Sequence, residues 1–405
     1  MRRPFALPLL VLMLASPALA QSPPVPPSFQ DLHTDLANTL EAFAGSLPPA
    51  TDRSPVAFSA ELAEADANRL AQLLAPTSLM GALLAIDRMA DMGVEAVTVN
   101  ISYPMLYKPF HGDLAEYRSY LGFYRTVATA ARQRGLKLIV KTGALLAMDP
   151  RVRAFYGAVT TLDRYKAGRL EVATTIVHEI APDYLTLQAE PDVEASQTGQ
   201  PVGTALGAHD LVRFLVTGLA APGTPHTSLG AGAGTWYSEF YDLAQDLGSV
   251  AGLDYLDVHV YPINRDFLWR ALWAAELAHR AGKDIAVSEA WLYKVRDGEL
   301  PMSGALFTEL VSRDVFSFWE PLDSKFVEVM MRLAITKTFA FMSFFWTKYF
   351  FRYLDYQSTF FFPPDQLLTL SQVAATQAML AGDLTRTGRT YGGLIRLHSL
   401  FESSP

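Results

Sequence analysis

The sequence predicts a single parallel (β/α)₈ barrel of the TIM type. Eight short apolar runs of strand character alternate with segments of helical period along most of the 405 residues. Such alternation is typical of a parallel sheet covered by helices. The alternative is an open, doubly wound sheet, which normally has a glycine fingerprint after its first strand; this chain has none there. No second domain and no internal repeat is evident.

The predicted strands are short runs of apolar and often β-branched residues. The fifth is glycine-rich and has the weakest strand character, and the eighth lies in the Phe-rich stretch Leu333–Leu354. That stretch contains Lys337 and Lys348, so we interpret it as a buried strand with its flanks and not as a membrane span. In chain order the predicted strands are Val56–Ala60, Glu95–Ile101, Leu136–Thr142, Tyr184–Gln188, Ser228–Ala233, Tyr255–Val260, Ile285–Ser288 and Phe339–Phe345.

Segments with apolar residues at steps of three and four predict the helices between these strands. The first two end at Gly93 and Gly135, which suit helix C-caps. The long connection Leu292–Asp323 exceeds ordinary loop lengths and is predicted to form a wall of the cleft. The predicted helices are Leu83–Met92, Tyr117–Arg134, Leu162–Ile180, Asp210–Leu219, Tyr237–Leu247, Phe267–Ala281, Val327–Lys337 and Leu367–Leu380.

The N-terminal residues divide into three segments before the barrel. Residues 1–20 have a basic start, an apolar run at Leu7–Leu14 and the small-x-small pattern Ala18-Leu19-Ala20, which predict a secretory signal peptide. The apolar run is short for a membrane anchor. Residues 21–28 form a proline-rich tether, and residues 29–50 contain a helix with one apolar face, expected to pack over the floor of the barrel. Residues 51–405 form the barrel domain.

Composition narrows the environment and the partners. A signal peptide implies a secreted or periplasmic protein, and a chain without cysteine has no disulfides. The net charge of −8 gives no electrostatic attraction to nucleic acid or to an anionic membrane. A neutral polysaccharide is a compatible partner, and we expect the protein to act as a monomer.

Two glutamates end predicted strands and carry the strongest functional signal. Glu190 follows the fourth strand and Glu289 follows the seventh. In a (β/α)₈ barrel the active site lies at the C-terminal ends of the strands, where both side chains can converge. A pair of carboxyl groups about 5 Å apart is what an enzyme needs to break a glycosidic bond with retention of the anomeric configuration. A single strand-end glutamate is usually only a solvated loop residue, so the pair carries the hypothesis.

These residues resemble those of glycoside hydrolase clan A, a group of retaining (β/α)₈ hydrolases. The resemblance extends from about Val56 to Leu380 and implies that Glu190 is the acid/base and Glu289 the nucleophile. It also implies that the charge of Glu289 raises the pKa of Glu190. Tyr261, in the sequence Asp-Val-His-Val-Tyr-Pro, resembles the clan's tyrosine that hydrogen-bonds the nucleophile. Trp346 resembles its sugar-platform tryptophan. The clan's asparagine before the acid/base, which contacts the sugar 2-hydroxyl, is replaced by Ala189.

Other residues at predicted strand ends are candidates for substrate binding. His259 lies on the same strand face as Tyr261, either in the cleft or as a buried core residue, and Lys141 ends the third strand. Trp236 and Trp291 follow the fifth and seventh strands, where aromatic rings could stack on sugars. Gln188, His259 or Lys141 is expected to take the place of the missing asparagine.

The sequence shows no sign of a metal or cofactor site. Its eight histidines include no His-Glu-x-x-His pattern, and it has neither a phosphate loop nor a Gly-x-Ser-x-Gly nucleophile elbow. The sequence therefore predicts a cofactor-free, secreted retaining hydrolase of β-linked polysaccharides or oligosaccharides. Two alternatives stay open: a non-catalytic carbohydrate-binding barrel, suggested by Ala189, and a transglycosylase that uses the same residues.

Overall fold

The computed structural model describes residues 23–48, 55–220, 226–300 and 304–402. Within these ranges eight parallel strands close into a barrel in sequence order, with the eighth pairing back onto the first. The predicted fold class is confirmed. The predicted signal peptide, residues 1–20, lies outside the described residues.

Each observed strand coincides with a predicted one, and the boundaries differ by at most a few residues. The fourth strand is shorter than predicted, because its pairing stops at Thr186 and the chain then turns toward Glu190. The strands are β1 Ala57–Glu61, β2 Ala96–Asn100, β3 Lys137–Lys141, β4 Tyr184–Thr186, β5 Ser228–Gly234, β6 Tyr255–Val260, β7 Asp284–Ala290 and β8 Phe341–Phe344.

The helices form a layer outside the barrel and also build parts of its upper rim. The predicted helices are present, and most begin several residues earlier than expected because prolines and polar caps start them. The helices are α1 Gln30–Ser46, α2 Pro76–Met92, α3 Leu114–Gln133, α4 Pro150–Ala158, α5 Leu162–Thr175, α6 Pro191–Thr198, α7 Ala205–Leu219, α8 Phe240–Gly248, α9 Phe267–Arg280, α10 Gly304–Ser312, α11 Glu320–Thr336, α12 Tyr356–Thr359, α13 Pro364–Ala381 and α14 Arg386–Glu402.

The N-terminal helix α1 packs on the outside wall of the barrel, so its predicted position over the floor is wrong. Phe29 contacts Trp319, which precedes α11, and Arg332 near the end of α11 donates to the Leu47 carbonyl. Helix α1 therefore runs alongside α11, and Phe43 packs edge-on against Trp269 of α9. The apolar face predicted from the sequence is buried, but against helices.

Aromatic side chains fill the floor of the barrel. The rings of Tyr184 and Phe341 lie 4.9 Å apart and those of Tyr255 and Phe341 lie 5.4 Å apart. Small residues on neighbouring strands, Ala57, Ala96 and Ala286, complete this layer. This layer closes the barrel interior below, and the large cleft lies at the C-terminal ends of the strands.

No single helix among the described residues is long and apolar enough to cross a membrane. One consecutive pair, Ala67–Leu74 and Pro76–Met92, passes a test of length and composition together, but the chain bends by 117° between them. The Phe-rich stretch Leu333–Leu354 contains the end of α11, strand β8 and a short 3₁₀ turn, as interpreted from the sequence.

Candidate active site

A cleft of about 720 Å³ opens at the C-terminal ends of the strands. This volume is typical of a small-molecule or oligosaccharide site. Leu300 and Phe307, from the long connection after β7, form part of its wall. The sequence prediction that this connection walls the cleft agrees with their position.

Glu190 reaches the cleft from a loop that a buried arginine holds in place. The loop runs from β4 into α6. Pro191 is the first residue of that helix, and Glu190 directly precedes it. The Arg169 side chain, buried on α5, donates to the Leu187 carbonyl and to the Glu194 carboxylate. The Thr142 hydroxyl also donates to Leu187, at 2.7 Å. Both ends of the short segment that carries Glu190 are therefore fixed.

Glu289 enters the cleft because β7 contains a bulge. Asp257 pairs with Ala286, but His259 pairs with Glu289, so β7 has one more residue than β6 between these pairs. A bulge of this kind turns side chains out of the regular alternation. As a result the neighbours Ser288 and Glu289 both point into the barrel, where each contacts His259.

The two glutamates face each other across the cleft. One carboxylate oxygen of Glu190 and one of Glu289 lie within 4.8 Å of each other, and both residues line the same cavity. The side chains are 24% and 12% exposed, respectively. A separation near 5 Å suits direct attack by one carboxylate, whereas inverting enzymes need a wider gap that holds a water molecule.

His259 connects Glu190 to a hydrogen-bonded chain in the barrel interior. Asp257 accepts hydrogen bonds from the Thr186 hydroxyl at 2.8 Å and from the Ser288 hydroxyl at 2.5 Å. Since Ser288 donates its only hydroxyl hydrogen to Asp257, its oxygen accepts from His259 Nε2, 2.8 Å away. Nδ1 of His259 then faces Glu190 Oε1 at 2.8 Å. His259 is thus a cleft residue whose Nε2 carries a hydrogen.

The structure corrects the expected pKa of Glu190. Burial raises the pKa, but the hydrogen bond from His259 and its positive charge, with a smaller contribution from Lys141, outweigh burial and lower the pKa below its usual value. The sequence argument considered only the repulsion from Glu289. It missed the histidine, whose contact with Glu190 depends on the bend of the chain after β4.

Lys141 bridges two carboxylates deep in the cleft. Its ammonium lies 2.8 Å from Glu61 Oε2 and contacts Glu289 Oε1 directly. Burial and the negative charges of Glu61 and Asp66 raise the pKa of Glu289 well above its usual value. Lys141 was predicted from its strand-end position to contact substrate, and the structure places it against Glu289 in the cleft lining.

Four aromatic residues form a further part of the cleft wall. Tyr261 stacks on Tyr293 with ring centroids 4.5 Å apart, and its ring lies 5.6 Å from that of Trp236 and 5.4 Å from that of Phe345. All four residues line the cavity. The Tyr261 hydroxyl makes no hydrogen bond to Glu289 in the described structure. Lys141 contacts the carboxylate where the resemblance implied the tyrosine.

Three residues predicted to bind substrate do not line the cleft. Trp291 is fully buried and stacks on Tyr349, and it is not part of the cavity lining. Trp346 packs on Phe345, and it is Phe345 that faces the cavity. Gln188 is buried, with its side-chain amide directed at the Val202 carbonyl 3.3 Å away. It therefore does not take the place of the asparagine that Ala189 replaces.

Sequence reasoning missed a polar wall beside Lys141. Asn100, the last residue of β2, donates to Asp66 at 3.1 Å and accepts from Ser102 at 2.6 Å, and all three residues line the cavity. Glu61 beneath them was also missed. Asn100 and Glu61 each end a strand, so the rule that identified Glu190 and Glu289 would have identified them if applied to every strand.

A metal ion is not favoured at this site. Donor atoms of Glu190, His259 and Glu289 lie close enough together to hold a cation. However, the Lys141 ammonium already contacts Glu289, and the His259 nitrogens face Glu190 and Ser288. A second positive charge would lie beside the lysine, which is electrostatically unfavourable.

Comparisons with known proteins extend to the fold. No family model and no curated protein sequence matches this chain. Among solved structures, a GH5_18 protein of Bifidobacterium longum subsp. longum in complex with Manb1-4GlcNAc has a TM-score of 0.53 at 14% identity, covering 86% of this chain and 79% of that one. An exo-beta-1,4-mannosidase of Opitutaceae bacterium strain TAV5 has a TM-score of 0.51 at 12% identity, covering 86% and 60%. At these identities the likeness shows a shared barrel fold.

Proposed function

We propose that this chain is a retaining glycoside hydrolase of β-linked sugars, with Glu289 as nucleophile and Glu190 as acid/base. One observation carries the proposal. Carboxylate oxygens at the ends of the fourth and seventh strands lie within 4.8 Å of each other in one cleft. That separation suits double displacement. The fold likeness to glycosidase barrels agrees with clan A as the group to which the chain belongs.

The proposed reaction has two steps. Glu289 Oε2 attacks the anomeric carbon while the bond to the leaving oxygen breaks and Glu190 gives that oxygen its proton. The product is a glycosyl ester on Glu289. In the second step Glu190 takes a proton from water, the resulting oxygen nucleophile attacks the same carbon, and Glu289 leaves as a carboxylate. The anomeric configuration is inverted twice and hence retained.

In the first step Glu190 obtains the proton that it donates from His259, which it contacts. In the free protein the lowered pKa of Glu190 favours its ionised form, which accepts a hydrogen bond from His259 Nδ1, 2.8 Å away. When a sugar fills the cleft and excludes water, burial favours neutral groups. The proton then moves to Glu190, and His259 keeps the hydrogen on Nε2 that Ser288 accepts.

The substrate we propose to test first is a β-mannoside. The structures of similar fold include an exo-beta-1,4-mannosidase and a complex with Manb1-4GlcNAc. In this chain, the aromatic wall around Tyr261 offers a face for stacking on a pyranose ring. The hydrophilic wall at Asn100 and Asp66 offers hydrogen-bond partners for hydroxyl groups. The predicted signal peptide supports action outside the cytoplasm.

One observation favours a second candidate, a carbohydrate-binding barrel without activity. Ala189 cannot hydrogen-bond the sugar 2-hydroxyl, a contact that strengthens in the transition state of related reactions. Gln188 is turned away from the cleft. Lys141 and His259 line the cavity and are the groups that can compensate.

Turnover separates these candidates. 4-Nitrophenyl β-D-mannoside, the corresponding glucoside and Manβ1-4GlcNAc are incubated with wild type and with Glu289→Gln. We expect hydrolysis by the wild type and a loss on the order of 10³-fold or more in the variant, because the amide is a poor nucleophile. Binding of these sugars without turnover, equal in both proteins, would favour the binding barrel.

Chemical rescue assigns the two roles. Glu190→Ala should recover activity with a 2,4-dinitrophenyl leaving group and azide, since that group needs no acid and azide needs no base. Glu289→Ala should not recover on this retaining pathway. Rescue of both variants alike would contradict the assignment.

A further inference from the structure

A buried acid at the end of β1 has no part in the reaction described above. Glu61 is fully buried, and its Oε2 lies 2.8 Å from the Lys141 ammonium. Its other oxygen, Oε1, is buried without a hydrogen-bond partner in the described structure. Burial raises the pKa of Glu61 to about 8 against the opposing charge and hydrogen bond of Lys141, so its ionised form depends on this pairing.

Lys141 in turn makes its closest contact with Glu289 at Oε1. The ammonium lies against Oε1, whereas Oε2 faces His259 Nδ1 at 3.7 Å. The ammonium is itself almost fully buried and also lies over the ring of Phe345, 5.1 Å from its centroid. Glu61, Phe345 and Glu289 therefore hold the lysine from three sides, and the lysine holds one side of the Glu289 carboxylate.

We propose that Glu61 and Lys141 form a positioning pair that binds Oε1 of Glu289 and leaves Oε2 to attack the sugar. The proposal rests on the proposed function of Glu289. Lys141 fixes the carboxylate plane through its contact with Oε1. Glu61 holds the lysine and offsets part of its positive charge. Glu289 is therefore held in place, but its nucleophilicity is not lost, as it would be in a full ion pair with the lysine.

The pair also sets the charge seen by Glu289, which gives the proposal a measurable consequence. Charged or titratable groups face Glu289 from every side of the cleft: Glu61 on β1, Asp66 after β1, Lys141 on β3, Glu190 after β4, His259 on β6 and Tyr293 after β7. Removing the Glu61 charge leaves the lysine unopposed, which must lower the pKa of Glu289. Removing the Lys141 charge must raise it.

The experiment titrates Glu289 directly in the full-length protein. Glutamate is labelled with ¹³C at Cδ, and the Glu289 signal is identified as the one lost in Glu289→Gln. Relative to wild type, Glu61→Gln should move the Glu289 titration to lower pH by about one unit or more, and Lys141→Met should move it to higher pH by a similar amount. The apparent pKa of the acidic limb in the pH profile of kcat/KM for 4-nitrophenyl β-D-mannoside should shift in the same direction as the Glu289 titration in each variant. Glu116→Gln, which removes a carboxylate from a surface ion pair with Arg151, is the control and should move neither.

Shifts in opposite directions support the pair, and a purely structural role for Glu61 would not produce them. An unchanged Glu289 titration in Glu61→Gln, or shifts of the same sign in both variants, would overturn the proposal. If Glu61→Gln does not fold, the double variant Glu61→Gln/Lys141→Met removes both charges of the pair together, so that Lys141 is not left without Glu61. It must raise the pKa of Glu289, because the nearer charge that it removes is the positive one.

Failure of the inference differs from failure of the proposed function. Suppose that the wild type hydrolyses substrate, that Glu289→Gln does not, and that the Glu289 titration is unchanged in the pair variants. The positioning-pair proposal would then be rejected, and the hydrolase proposal would stand. Suppose instead that the Glu289 titration shifts as predicted but the protein hydrolyses none of the glycosides tested. The hydrolase proposal would then be rejected, and Glu61 and Lys141 would still be the residues that position Glu289.

Discussion

Glu190 and His259 share one proton position in the free protein. Asp257 and Ser288 fix the hydrogen on His259 Nε2, so that Nδ1 is the atom available to Glu190. The two groups interact directly at 2.8 Å, and the hydrogen bond and charge of His259 lower the pKa of Glu190. This coupling explains how a glutamate with a lowered pKa can still act as the acid.

Replacing the histidine tests this coupling. In His259→Phe the burial of Glu190 stays, while the hydrogen bond and the positive charge that lower its pKa are removed. The pKa of Glu190 should therefore rise, and the carboxyl should stay protonated to higher pH than in wild type. A ¹³C titration measures it, with the Glu190 signal identified from Glu190→Gln. His209→Phe on α7, away from the cleft, is the control. A Glu190 pKa that stays the same or falls in His259→Phe would contradict the account.

At the scale of single elements, the glycines of β5 allow β6 to approach closely. A methyl group on Gly232 would overlap the carbonyl oxygen of Asp257, which is backbone and cannot move aside. The same glycine donates its N–H to the Gln188 carbonyl at 2.8 Å, next to the loop that carries Glu190. The weak strand character of this segment thus reflects close packing beneath the site.

Gly232→Ala should destabilise the protein by about 2–3 kcal/mol, since overpacking against backbone forces the two strands apart. Denaturant unfolding measures the loss in free energy. The matched control is Gly122→Ala on α3, where a methyl group meets no atom and helix propensity should add about 0.5–1 kcal/mol. Equal stability changes in the two variants would refute the packing argument.

Much of the site could be predicted because strand ends are visible in sequence. Polar residues that end apolar runs identified Glu190, Glu289 and Lys141. The bulge in β7 could not be predicted, since one extra residue leaves no trace in so short a pattern. Trp291 was predicted in the cleft from its place after the seventh strand, but it is core. Glu61 directly follows the predicted first strand, as Glu289 follows the seventh, and it was missed because the rule was not applied to that strand; pairing with Thr98 places Glu61 in β1.

At the scale of the whole molecule, charge restricts the substrate. The net charge is −8, and the two basic side chains lining the cleft are engaged: Lys141 by Glu61 and Glu289, and Arg265 by Asp297 at 2.8 Å. Asp192, also in the lining, has a pKa raised to about 6 by burial and by the charge of Glu190. It is therefore largely ionised at neutral pH. The cleft has an excess of negative charge that repels uronic acids and sulfated sugars.

We expect kcat/KM for a neutral 4-nitrophenyl β-glycoside to exceed that for the corresponding β-glucuronide by at least about tenfold. The difference should narrow at high salt, which screens the more exposed charges. Equal rates for the neutral and the anionic glycoside at low salt would show that the cleft does not select by charge.

The central claim is that Glu289 forms a covalent bond to the sugar, and trapping tests it most directly. A 2-deoxy-2-fluoro-β-glycosyl fluoride, in the manno and gluco forms, is incubated with the protein, which is then digested and analysed by mass spectrometry. The fluorine at C2 slows both steps, and the good leaving group at C1 speeds formation of the ester, so that the ester accumulates. We predict that the peptide containing Glu289 gains the mass of one fluorosugar, and that Glu289→Gln gains none. Label on any other residue, or turnover of a glycoside by wild type and Glu289→Gln alike, would contradict it.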